Sequence, residues 1–282
     1  MNNNGKTAKT AKKPKSPKNL TKKAYILWGI LATCVLTVLV VVTTVLVSAI
    51  VYVKGDLVVN LDEYKANQNQ TSFVYAYDKS GATVELARLH GEEDRVWVDL
   101  DDMSPYLKEA FIALEDTRFM KHHGVDWIRT FGVILKPSNI GQGGSTITQQ
   151  LIKNVTNNKE VTIVRKYREI LMALNLEENY DKDVILEAYL NTLYLGSGCY
   201  GVKTASEKYF GKDVSELDAA ECACLAVITK APTKYNPLLN PEENLKRRNH
   251  CLKLMYDEGK GCLNEEEYNA CLLYTSPSPR DP

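Results

Sequence analysis

The run Ser104-Pro105-Tyr106-Leu107-Lys108-Glu109-Ala110-Phe111-Ile112-Ala113-Leu114-Glu115-Asp116-Thr117-Arg118-Phe119-Met120-Lys121-His122-His123-Gly124-Val125-Asp126 sets the character of the chain. Ser104-Pro105 reads as a cap followed by proline at the first helical position. Leu107, Ala110, Phe111 and Leu114 then recur at helical spacing. The helix ends on two adjacent carboxylates, an aromatic, two histidines and a glycine. Acids at a helix C-terminus oppose the macrodipole, so the pair asks for a cause. One reading makes them solvated end groups. The other places Glu115 at the edge of a cleft, where partial shielding lets a carboxylate accept a proton from a hydroxyl.

Outward from this run the pattern stays helical, with helices expected near 146–156, 160–178, 183–195, 215–229 and 242–258, Ser215 and Asp218 forming a capping pair for one of them. Towards the N-terminus, Ser72-Phe73-Val74-Tyr75-Ala76-Tyr77 alternates and turns at Lys79-Ser80-Gly81 into a second strand-like run. Between Lys23 and Lys54 there is no charge. That stretch exceeds the roughly 20 apolar residues a bilayer requires, and Tyr25, Trp28 and Tyr52 sit near its ends as interfacial aromatics do. A cleaved signal peptide would have a shorter apolar region and a small-residue cleavage site. The lysines before the span place the N-terminus in the cytoplasm and the body outside.

The 282 residues carry no net charge, but nine of the 35 basic residues lie in 1–55, which holds no acid; the other 26 face 35 acids, so residues 56–282 carry about −9. An acidic body argues against a nucleic-acid-binding domain; a basic tail suits anionic head groups. Seven cysteines follow no zinc spacing, leaving disulfides or free buried thiols as alternatives, with Cys222 and Cys224 expected on different faces of one helix.

Four further runs carry chemistry. Gly141-Gln142-Gly143-Gly144-Ser145-Thr146-Ile147-Thr148-Gln149-Gln150-Leu151-Ile152-Lys153 frees the backbone and opens a helix with a Thr146–Gln149 capping box. It is either a flexible loop before a capped helix or a junction whose N–H groups meet an anion, with Lys153 in reach. Arg165-Lys166-Tyr167-Arg168-Glu169 is either an i,i+4 surface ion pair or a cationic patch for a diphosphate. Ile185-Leu186-Glu187-Ala188-Tyr189-Leu190-Asn191 puts an acid in an apolar helix, so Glu187 faces either solvent or a polar cleft, with Asn191 on the same face. Lys230-Ala231-Pro232-Thr233-Lys234-Tyr235-Asn236-Pro237 is a rigid turn, with Lys230 a candidate phosphate contact.

In this order the five motifs closely resemble glycosyltransferase family 51, the glycosyltransferase domain of class A penicillin-binding proteins: Glu-Asp-x-x-Phe-x-x-His-x-Gly, Gly-Gly-Ser-Thr-Ile-Thr-Gln-Gln, Arg-Lys-x-x-Glu, Ile-Leu-Glu-x-Tyr-Leu-Asn and Lys-Ala-Pro-x-x-Tyr-Asn-Pro. The resemblance implies a mainly α, lysozyme-like two-lobed glycosyltransferase domain with a small β region, preceded by one N-terminal transmembrane helix. It implies polymerisation of lipid II into glycan strands by inverting transfer, with release of undecaprenyl diphosphate. Glu115 matches the general base and Glu187 the second essential acid. Lys153, Arg165 and Lys166 match diphosphate-binding cations. Gly144, Ser145, Thr146, Gln149 and Gln150 match the cleft loop, and Asp116, Phe119, His123 and Gly124 the rest of the first motif, with Asn191 and Lys230 as further substrate contacts. No dedicated set of metal ligands is implied, but Glu187 is implied to orient the donor end or to help hold a divalent cation (Mg or Mn) at the diphosphate. The implied partners are lipid II, the growing glycan strand, the cell membrane and other cell-wall synthesis proteins.

The expected organisation is a cytoplasmic basic tail (1–23), an anchor (24–53), a polar stalk (54–71), the catalytic domain (72–272) and a non-native tail (273–282). The last ten residues resemble translated sequencing-adapter read-through after a helix start at Asn264 that does not complete. No Ser-x-x-Lys or Lys-Thr-Gly of a transpeptidase is present. The expectation is therefore a fragment of a bifunctional protein, with a monofunctional transglycosylase, a lytic transglycosylase and an inactive cell-wall scaffold as alternatives.

Overall fold

The computed structural model describes residues 18–53, 57–67, 72–77, 79–89, 94–135, 144–157, 162–257 and 262–273. Most of the basic tail, residues 141–143 of the glycine-rich run and residues 274–282 lie outside that set. The chain divides into two compact units, Met1–Asp56 and Leu57–Pro282. Among the described residues the first contains one helix, α1 (Lys18–Val53). Its stretch Ala24–Val47 is long and apolar enough to cross a membrane. The hydroxyls of Thr33, Thr37, Thr43 and Thr44 donate to carbonyls three or four residues back, so none presents a bare donor to an apolar surround.

The second unit is mostly helical. A short helix, α2 (Leu61–Ala66), begins at Asn60, whose side chain accepts from Asp62 N and Glu63 N. Leu57 and Leu61 are buried. This part of the expected stalk is therefore part of the second unit, because two leucines four apart give it an apolar face. β1 (Ser72–Tyr77) and β2 (Thr83–Leu89) pair antiparallel, turning through Gly81 at φ +84°. β3 (Asp94–Arg95) precedes α3 (Pro105–Glu115), α4 (Trp127–Leu135), α5 (Ile147–Thr156), α6 (Ile163–Asn179) and α7 (Lys182–Thr192). β4 (Cys199–Tyr200) lies parallel to β3 and is followed by α8 (Val202–Phe210), α9 (Ala219–Ile228), α10 (Pro241–Asp257) and α11 (Glu265–Leu273).

Two groups of helices form the core. In one, α3 and α10 pack on α9, and the four α3 positions expected inside are all buried. Every residue of α9 is buried, as its nearly uncharged sequence requires of a helix enclosed on all sides. The one acid there, Glu221, caps the helix with Asp218 and pairs with Lys212 at 2.7 Å. The other group packs α5 against α6 and α7. Phe111 of α3 meets Tyr189 of α7 edge-on, ring centroids 6.1 Å apart, joining the two groups.

Several boundaries differ from the sequence reading. The helix expected over 215–229 starts at Ala219, and its cap is Asp218 with Glu221 rather than Ser215 with Asp218. Asp213 takes both the N–H and the hydroxyl of Ser215, closing a separate 3-10 turn first. Ser104 stands at the N-cap of α3, but its hydroxyl donates to Leu217 O at 2.8 Å instead of capping the helix. α7 stops at Thr192, short of 195. α11 does complete, opened by reciprocal bonds between Asn264 and Glu267. All seven cysteines are free thiols, and Cys222 and Cys224 do face different neighbours, Ser104 and Asn244. Burial pushes the thiols of Cys224 and Cys251 up to about 12, which leaves them protonated and inert.

Candidate active site

Glu115 is the last residue of α3 and stands where the two helix groups meet. Its Oε1 accepts from Thr229 Oγ1 at 2.9 Å, just past the end of α9. Its Oε2 accepts from Gln150 Nε2 at 2.9 Å, on α5. Arg129 of α4 donates to the Glu115 carbonyl at 2.7 Å, placing a cation at the negative end of α3. Gln150 is itself fixed by Tyr189, whose hydroxyl donates to Gln150 Oε1 at 3.2 Å. Burial, reinforced by the Glu115 and Asp116 carboxylates, raises the Tyr189 phenol well above its ordinary range, so it remains a donor.

Gln150 and Thr229 also line a cleft of about 390 Å³, together with Ser145, Gln149, Lys153, Asn154, Arg165, Glu169, Leu193, Tyr194 and Pro232. Glu169 is nearly buried, yet pairs with Arg165 at 2.7 Å and with Lys166. Lys166 Nζ reaches Ser145 Oγ at 2.9 Å, joining the third motif to the second. Lys153 and Arg165 in the lining, with Lys166 behind Ser145, outnumber the single lining carboxylate and leave this wall positive, as an anionic ligand requires.

A family profile described as transglycosylase matches residues 82–256, well over half of the chain. The chain belongs to the transglycosylase family. It is 42% identical over 214 residues to penicillin-binding protein 1A/1B of Bacillus subtilis, covering 74% of this chain and 23% of that protein. To penicillin-binding protein 1A of Escherichia coli it is 45% identical over 178 residues, covering 62% of this chain and 21% of that one. The matches thus span about a quarter of the length of these curated relatives. A crystal structure of penicillin-binding protein 1A from Haemophilus influenzae is similar over 74% of this chain and 21% of that chain, with a TM-score of 0.43 and 25% identity.

In this transglycosylase domain the acid that shares the cleft with Lys153 and Arg165 is Glu169, not Glu187. Glu187 is turned to another part of the domain, where its Oε1 accepts from Trp97 Nε1 at 2.8 Å and Lys65 Nζ at 3.1 Å, and its Oε2 from Leu100 N at 3.1 Å. Asn191 is fully buried beside it. Its amide pairs with both backbone groups of Val98 and with the Glu187 carbonyl, which leaves nothing for a substrate. Lys230 is exposed and does not line the cleft. In the sequence Glu169 closes the Arg-Lys-x-x-Glu motif as the i,i+4 partner of Arg165, without a site role of its own; the structure contains that pair and turns it into the cleft wall.

The second motif's helix start does meet an anion, but one supplied by the transglycosylase domain itself. Asp116 is fully buried, and its Oδ2 accepts from Ile147 N at 3.0 Å and from His122 Nε2 at 2.9 Å. This also explains two acids at the end of α3: the second caps a different helix. The histidine in the motif is His122, as the spacing Glu-Asp-x-x-Phe-x-x-His requires, while His123 is exposed. Thr146 and Gln149 form the expected capping box and are buried, so they hold the loop. Thr146 Oγ1 also donates to Gly124 O at 2.6 Å. Phe119 is a core residue under the ammonium of Lys182, 4.3 Å from its ring centre. Gly144 is partly exposed next to Ser145.

Gly124 has φ +76°, and a Cβ there would lie 2.5 Å from the backbone oxygen of Ala173 on α6. Gly124→Ala should therefore combine a left-handed alanine with a backbone clash, costing about 3 kcal/mol or more. Thermal unfolding followed by circular dichroism should show the midpoint fall by roughly 6–12 °C. An unchanged midpoint would mean that α6 does not press on this loop.

Proposed function

We propose that this domain is a peptidoglycan glycosyltransferase that polymerises lipid II. The observation that carries the proposal is Glu115, held by Gln150 and Thr229, at the edge of a cleft lined by Lys153 and Arg165, with Lys166 bonded to the lining Ser145. Glu115 acts as general base. It removes the proton from the 4-hydroxyl of the acceptor's N-acetylglucosamine as that oxygen attacks C1 of the donor's N-acetylmuramic acid from the opposite face. The C1–O bond to the diphosphate breaks, C1 inverts, and undecaprenyl diphosphate departs with the bonding pair. Negative charge grows on the leaving group, where the three cations stabilise it. Glu169 keeps Arg165 and Lys166 aimed into the cleft. Because a diphosphate already leaves readily, this site needs no second carboxylic acid of the kind glycoside hydrolysis uses.

The described residues do not fit a protein-held divalent cation. No three His, Cys, Asp or Glu side chains among them converge, and Glu169 is already paired with two cations. Lysine and arginine are therefore the groups that stabilise the leaving diphosphate. α1 serves as a single membrane span, and the lysines before it hold the N-terminus in the cytoplasm, so the catalytic domain works on the outer face. The lipid II tail, the glycan strand and cell-wall synthesis proteins are then its partners.

Supplying the protein separately with lipid II and with finished glycan tests the reading. Growth of polymer from lipid II is the expected result; shortening of glycan without growth would make it a lytic enzyme instead.

A further inference from the structure

The two donors that hold Glu115 are not equivalent. Thr229 Oγ1 lies 2.9 Å from Glu115 Oε1 but also 2.7 Å from Ala226 O, so its single proton is shared between two acceptors. The Gln150 amide, 2.9 Å from Oε2, has two N–H groups and is the firmer donor. Its grip depends on which way the amide points. Turned by half a rotation, an amide of nearly the same shape would set Oε1 against the carboxylate, acceptor against acceptor. Tyr189 decides the orientation. Its hydroxyl donates to Gln150 Oε1 at 3.2 Å, which leaves Nε2 to Glu115. Tyr189 has no exposure, and its ring meets Phe111 edge-on. Phe111 lies four residues before Glu115, on the same face of α3. One side chain of α7 thus bears both on the helix that carries the base and on the helix that carries its donor. Tyr189 itself does not line the cleft.

We propose that Tyr189 is a positioning residue for the transfer: it turns the Gln150 amide so that Nε2 faces Glu115, and so holds the base where the acceptor's hydroxyl arrives. The inference rests on reading the domain as a transferase with Glu115 as its base. Without the Tyr189 hydroxyl, Gln150 Oε1 loses its donor. A shielded acceptor left unpaired is costly, so the amide turns towards water in the cleft and draws Nε2 off Oε2. Glu115 keeps only its share of the Thr229 proton, and its carboxylate leaves the line of transfer. A displacement of about 1 Å slows a positioned reaction by about 10- to 100-fold.

The test uses the full chain in detergent micelles, supplied with lipid II. Tyr189→Phe keeps the ring on Phe111 and removes only the oxygen. Its kcat should fall by about 10- to 100-fold while KM stays within about twofold, and the melting midpoint should drop by no more than about 4 °C. Gln150→Met removes the amide at nearly the same side-chain length and should also lower kcat. Adding Tyr189→Phe to it should cost less than about twofold more, since the hydroxyl then has no amide to turn. In a chain carrying isotopically labelled glutamine, the Gln150 side-chain amide signals, identified by their loss in Gln150→Met, should shift in Tyr189→Phe. A Tyr189→Phe rate like that of the wild type, a rise in KM in place of the fall in kcat, a full repeat of the loss on top of Gln150→Met, a collapse of the melting midpoint, or unmoved amide signals would each overturn the proposal. A wild-type chain that extends no lipid II refutes the transferase reading, and the amide signals then still decide by themselves whether Tyr189 orients Gln150.

Discussion

Glu115→Gln is expected to lower lipid II polymerisation by about 10²- to 10⁴-fold, the range that removal of a positioned general base produces. The geometry makes this substitution unusually clean. Thr229 Oγ1 lies 2.9 Å from Glu115 Oε1 and 2.7 Å from Ala226 O. In the variant, the amide oxygen can still accept from Gln150 Nε2, and the amide nitrogen can donate to Thr229, whose own proton turns to Ala226. Every local hydrogen bond survives, so the melting midpoint should stay put. What is lost is the lone pair that takes the acceptor's proton. Binding should change little, because the diphosphate meets Lys153, Arg165 and Lys166 instead. The loss should therefore fall on kcat and leave KM nearly unchanged. Full activity in this variant would remove Glu115 from the mechanism and move the search for a base to other groups around the cleft.

The features legible in the sequence are those written within a few residues. The buried face of α3 follows from Leu107, Ala110, Phe111 and Leu114; the hairpin turn from Lys79-Ser80-Gly81; the start of α5 from Thr146 and Gln149. The apolar span needs only the absence of charge from Ala24 to Val53. Legibility failed where distant segments decide. Glu169 and Glu187 are both acids inside helices, and no local pattern says which one faces the cleft. That depends on α6 presenting Glu169 towards Ser145, and on α2 and Trp97 closing over Glu187. The same limit hid the stalk's docking. Leu57 and Leu61 read as part of a stalk, and the Tyr180 hydroxyl that accepts from Leu61 N lies more than a hundred residues away. His122 differs: counting Glu-Asp-x-x-Phe-x-x-His from Glu115 falls on it, yet the sequence reading assigned the motif's histidine to its neighbour His123, and it is His122 that meets Asp116.

The largest stability effect should come from Asp116→Ala. The carboxylate has no exposure at all, and Oδ2 carries the bonds from Ile147 N and His122 Nε2. Ile147 is the first residue of α5, so the anion also sits at the positive end of that helix. Alanine would leave a buried backbone donor and a buried imidazole without a partner, together with a small cavity. Breaking a buried, hydrogen-bonded charge in this way costs about 3–5 kcal/mol. For a domain of this size that is a fall of roughly 6–20 °C in the melting midpoint. Asp116→Asn keeps an oxygen for Ile147 N and should lose markedly less. The two substitutions should also separate in activity. Asp116 pins the start of α5, and Gln150, one turn along that helix, holds Glu115. Alanine should therefore loosen the base as well as the fold, while asparagine preserves the placement and most of the turnover. If alanine melts like the wild type, Asp116 does not anchor α5, and the register between the first two motifs must come from the Thr146–Gly124 bond alone.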